Sequence, residues 1–155
     1  MKTRIHAAAG MLAMLFISSF WISTAISELF LTHEAMAAVK HAILMAMWLL
    51  IPAMAATGAS GFSLSRGRTG GLCERKKRRM RVIALNGGLI LLPAAYFLNS
   101  KASAGDFDAT FFAAQALELL AGALNLTLMG LNLRDGLRMT GRLRPVLGRS
   151  APMPG

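Results

Sequence analysis

Glu118 is a carboxylate inside an apolar run, and Gln115, Gly122, Asn125, Met129 and Asn132 accompany it at alternating three- and four-residue steps. That spacing draws one seam along a helix. The residues between them, Leu117, Leu119, Leu120, Leu124 and Leu126 among them, are apolar enough for the helix to cross a bilayer. A carboxylate and several amides at that depth are costly to leave against lipid, so the seam must face protein, water or a ligand. An acid there either pairs with a cation or carries a proton, which makes Glu118 the side chain with the most chemistry to offer.

Two candidate partners lie at nearly the right depth on another apolar run. Glu118 falls within about 5 Å of the bilayer midplane, and Lys40 and His41 fall about 7–9 Å to its outer side. The spacing therefore predicts a buried polar cluster of Glu118, His41, Lys40 and Gln115. Its functional reading is proton or cation handling, and its bland reading is an ion pair that sets helix register. Lys40, in the second turn of its helix, has the further option of snorkelling to the interface. Asn86, Asn125 and Asn132 read as hydrogen-bond glue between helices, worth ~0.6 kcal/mol each. His6, at a membrane boundary, reads as an interfacial polar residue.

Other chemistry finds less to work with. His6 and His41 are separated along the membrane normal by about 20 Å or more, so one haem iron cannot take both. His33 lies in an outer loop. The 11 methionines read mainly as apolar filler. Cys73 is the only cysteine, and no CxxC or Cys/His spacing suggests a metal. No nucleophile–base pair supports an enzyme. Neither cofactor nor metal is assigned.

The elements that position these residues are four long apolar runs, near 6–27, 35–57, 82–98 and 109–131. About 20 apolar residues are needed to cross the hydrocarbon core, and all four runs reach or approach that length. With 55% hydrophobic residues and a mean hydropathy of +0.52, the 155-residue chain has no room for a separate soluble domain. The fold class is all-α, an integral membrane four-helix bundle in a single domain over 1–155. Pro52 is expected to kink the second span and Pro93 to disturb the third. Gly87 and Gly88 offer close helix approach, and Asp106 or Asp108 offers an N-cap for the fourth span.

The net charge of +10 is not spread evenly. Fifteen of the 17 basic residues fall at the N-terminus, in a segment at 58–81, or in a tail at 134–155. Only Lys40 and Lys101 fall on the other side, beside Glu28, Glu34, Asp106 and Asp108. This positive-inside pattern places both termini in the cytoplasm of a bacterial-type inner membrane. Arg75, Lys76, Lys77, Arg78, Arg79 and Arg81 then form a basic, glycine-flanked cytoplasmic loop against anionic headgroups, which removes the need for nucleic acid as a partner. The stretch from Pro145 to Gly155 reads as a disordered tail. Met1 to Arg4 and the following run resemble a signal peptide, but the run is long and holds Trp21, so an uncleaved anchor is expected. Trp21 itself is expected near the outer headgroups.

Small four-span multidrug exporters share the span count, but they carry a central glutamate in the first span. Here that span has acid only at its outer end, Glu28. Two function classes follow. One is a non-enzymatic accessory or assembly subunit whose polar seam docks helices, another membrane protein or a second copy. The other is a proton- or ion-coupled carrier using Glu118. A haem- or quinone-binding redox subunit comes third.

Overall fold

The structure is a computed structural model that describes residues 2–65 and 70–139. All its elements are helical: α1 (Lys2–Phe30), α2 (His33–Ser65), α3 (Gly71–Asn86), a π-helical turn (Gly87–Leu91), α4 (Leu92–Ser103) and α5 (Ala109–Met139). Four stretches are long and apolar enough to cross a membrane: Arg4–Phe30, His33–Leu64, Cys73–Ser103 and Ala109–Arg138. The chain is a multi-pass membrane protein on that ground.

The helix ends follow from local chemistry. Only Leu31 and Thr32 separate α1 from α2, and the Thr32 hydroxyl accepts from the Ala35 amide at 3.4 Å. That is an N-cap, and so short a link sends α2 back along α1. α4 ends in a left-handed glycine, Gly105 at φ 75°. The Asp106 amide returns to the Lys101 carbonyl at 3.0 Å and the Gly105 amide to that of Ala102 at 3.1 Å, a Schellman ending. Asp108, not Asp106, then caps α5, accepting from the Phe111 amide at 2.9 Å and the Thr110 hydroxyl at 2.7 Å.

Two boundaries differ from the sequence reading. Residues 58–65 continue α2 and residues 71–81 open α3, so most of the expected 58–81 loop is helix. The hydrophobic run ends near 57, but the backbone ladder has no reason to stop where hydropathy does. Arg66 and Arg68, and the expected tail from residue 140 onward, lie outside the described residues. The third span is one continuous helical path from Gly71 to Ser103. Pro93 cannot donate to the Leu89 carbonyl, and the chain widens just before it, where the Leu92 amide bonds Gly87 five residues back.

α1 packs along α2, α2 against α4, and α5 against α1, α3 and α4, whereas α2 and α3 barely touch. At the end with the short links, Leu98, Ala102 and Phe111 form an apolar cluster with Ala37, Phe107 and Ala114. His33 stacks on Phe107 there, ring centroids 4.2 Å apart. Elsewhere the polarity is inverted: Lys40, Gln115, Asn125 and Asp135 are buried while Leu29, Phe30, Trp48 and Leu120 are exposed. An apolar exterior around a polar interior suits hydrocarbon, not water.

A candidate intramembrane site

Lys40 and Glu118 form an ion pair that joins α2 to α5 across the interior. Lys40 is 2% exposed and also lies 3.4 Å from the Thr24 hydroxyl of α1. It does not snorkel, because it has an anion within reach. Glu118 keeps 12% exposure, and that edge opens into a cavity. Glu28, one turn beyond Thr24, lies close enough to act electrostatically on Lys40. Its Oε2 and the Oε1 of Gln115, one turn beyond Glu118, are buried without a hydrogen-bond partner among the described residues.

His41 is not in this cluster. It is exposed, because one residue of α-helix turns the side chain by about 100° from the inward direction that Lys40 takes. Gln115 is present, 1% exposed, but does not bond the pair.

Below Glu118 the seam is used for packing. The Trp21 indole N–H of α1 donates to the Leu119 carbonyl at 2.9 Å, and its ring lies over Gly122. A Cβ added at Gly122 would stand 3.0 Å from Trp21 Cδ1, so the ring approaches as closely as it does because no side chain stands there. Trp21 thus docks α1 on α5 inside the molecule, not at the headgroups. Asn86 donates to both the Asn125 amide oxygen and the Ala121 carbonyl at 2.8 Å. Asn132 is buried, but its amide finds no partner among the described residues, so the expected glue is not made there. One turn on, Asp135 takes that role, binding Arg79 of α3 at 2.6 Å and Arg134 at 3.5 Å. Asp135 was missed although it continues the seam three residues past Asn132.

At the opposite end of α1, His6 is not merely interfacial. Its Nδ1 lies 3.1 Å from the Thr57 carbonyl and from the Ser60 hydroxyl, and its ring rests against Gly61 of α2. His6 and His41 therefore sit at opposite ends and serve no common site. Among the described residues no three His, Cys, Asp or Glu side chains group as metal ligands.

The cavity that Glu118 meets has a volume of about 890 Å³ and is walled by all four long helices. That is near the top of the ~300–1,000 Å³ range of small-molecule sites. Its walls are mainly apolar, with Ile17, Phe20, Ile43, Met47 and Leu91 among them, and the buried free thiol of Cys73 also lines it. Glu118 marks one end; Lys76, Lys77 and Arg81 of α3, with His6, mark the other. Of the six basic residues expected on the membrane surface, only these three line the cavity. Arg75, Arg78 and Arg79 face away, along a separate shallow groove. Comparison with protein-family models, curated proteins and solved structures found no match for this chain.

Proposed function

We propose that this chain is a four-helix bundle of a bacterial-type inner membrane, with both termini cytoplasmic, that works as a small proton- or ion-coupled carrier. The observation that carries the reading is the Lys40–Glu118 pair, whose acidic member opens on a chamber of about 890 Å³. A buried ion pair is easily shifted by a proton or a competing cation, because each charge depends on the other for its solvation. The unpartnered Glu28 and Gln115 oxygens one turn away are acceptors that a coupling cation needs. Occupancy of the chamber would then couple to the charge state of Glu118.

The accessory-subunit reading draws less support. A seam that docks a partner must face outward, whereas Glu118, Asn125 and Asp135 are already covered by helices of the same chain. The redox reading would need ligands that His6 and His41, at opposite ends, do not provide together.

The test is a pH jump applied to proteoliposomes on a solid-supported membrane. Wild-type protein should give a transient current that Glu118→Gln lacks, measured at a temperature where the less stable variant still keeps wild-type helical content and oligomeric profile. Equal currents from the two proteins would defeat the carrier reading.

A further inference from the structure

We infer that the cavity holds one anionic phospholipid, with its phosphate at Lys76, Lys77 and Arg81 and an acyl chain along the apolar wall toward Glu118. The inference rests on reading the cavity as a ligand chamber. It begins with an imbalance of charge. Lys76, Lys77, Met80, Arg81 and Ala84 of α3, with Gly88 of the π-turn that continues it, line one wall at helical spacing, so three cations converge on one end. None makes an ion pair among the described residues. Lys76 feels Asp135, but Asp135 binds Arg79 and Arg134 instead. Arg75 satisfies itself on the Gly71 carbonyl. Lys76, Lys77 and Arg81 thus bring three cations to one end of the cavity with no ion-pair partner among the described residues.

The remaining walls select for hydrocarbon. A small soluble anion would leave the apolar surface beyond Arg81 unmatched. The wall from Lys76 to Leu92 runs about 24 Å at the helical rise. One leaflet of the hydrocarbon core measures about 15 Å, half of ~30 Å, so a headgroup and a chain fit end to end. An entry route is also present. α2 and α3 barely touch, and Ile51 and Phe62 of α2 line the cavity while 47% and 64% exposed. A chain can therefore enter sideways from the bilayer. Basic pockets between spans on the cytoplasmic side are where phosphate headgroups bind.

The experiment uses the full chain in detergent, with dioleoyl phosphatidylglycerol and dioleoyl phosphatidylcholine as probes and native mass spectrometry as readout. Wild-type protein should retain one phosphatidylglycerol about tenfold or more over phosphatidylcholine. Lys76→Gln/Lys77→Gln/Arg81→Gln should lose that preference. Arg75→Gln/Arg78→Gln/Arg138→Gln, with the same charge change away from the cavity, should keep it. Gly88→Leu supplies an arm that leaves every charge in place, since a Cβ there meets nothing within 4 Å. It should displace the lipid by filling the chain's path. Equal loss from both charge variants, or lipid retention unchanged by Gly88→Leu, would overturn the inference. If the cavity triple variant does not fold, Gly88→Leu decides alone. Glycerol phosphate competing as well as the lipid would also overturn it, because the headgroup alone would then suffice. A failure here with the Glu118-dependent current intact leaves the carrier reading standing. Loss of that current with lipid selection intact removes the carrier and keeps the lipid site.

Discussion

At the scale of single residues, the molecule turns on a charge pair held out of water. Removing one partner of such a pair leaves the other buried and uncompensated, at a cost of about 3–5 kcal/mol, whereas replacing both with apolar groups is often neutral. Lys40→Met and Glu118→Gln should therefore each destabilise strongly, and the double variant should recover most of the loss. Reversible unfolding in mixed micelles measures the cycle, and simple additivity would mean the two charges do not depend on each other. The pairing was legible from depth, because Lys40 and Glu118 fall within a side chain's reach along the membrane normal. His41 sits at the same depth and was misplaced for that reason. Depth fixes one coordinate only, and the angle around α2, which puts Lys40 inward and His41 outward, needs the packed neighbours.

At the scale of elements, glycine and capping chemistry decide how helices meet. A Cβ at Gly122 would press on Trp21, so Gly122→Ala should be less favourable in the wild-type background than in Trp21→Leu, where the gain of about 1 kcal/mol that alanine has over glycine in a helix is unopposed. The same unfolding assay reads that coupling, and equal effects in the two backgrounds would mean that Trp21 does not need the glycine. The turn between α4 and α5 is controlled by Asp108, which Lys101 engages at 2.7 Å. That hydrogen bond, with those from Thr110 and the Phe111 amide, holds the Asp108 carboxyl well below the usual carboxylate range. The folded form thus favours the ionised acid. Its contribution is full above the unfolded value of about 3.9 and is lost as pH falls through the folded one. Protection of the Phe111 and Phe112 amides, the observed exchange rate relative to the intrinsic rate at each pH, should fall as pH drops through that window, and Asp108→Ala should show low protection at neutral pH already. Exchange at these amides that ignores both changes would remove Asp108 from the cap. The four spans and this cap could be read from hydropathy and residue type. The π-turn before Pro93 could not, because a proline in a helix has several relaxations and the neighbouring helices choose among them.

At the scale of the whole molecule, charge sorts to one end and volume collects in the middle, and only the first was visible in the sequence. A cavity arises from how far apart the packed helices stand, here where α2 and α3 separate, and no local pattern encodes that spacing. Charge sorting is encoded directly. Basic residues gather at the end that holds α3's start, while Glu28, Glu34, Asp106 and Asp108 gather at the other. Under the proposed topology, the insertion bias of Lys and Arg orients the basic end, and with it the cationic mouth of the cavity, toward the cytoplasm. Two exposed positions test this in a Cys73→Ala background: Asp106, 65% exposed beside Lys101, and Arg75 on the outer face of α3. Asp106→Cys should react with a membrane-impermeant maleimide in intact spheroplasts, and Arg75→Cys only after permeabilisation. The reverse pattern would turn the molecule over, placing the Lys76–Arg81 mouth outside and removing the cytoplasmic leaflet as the source of its lipid.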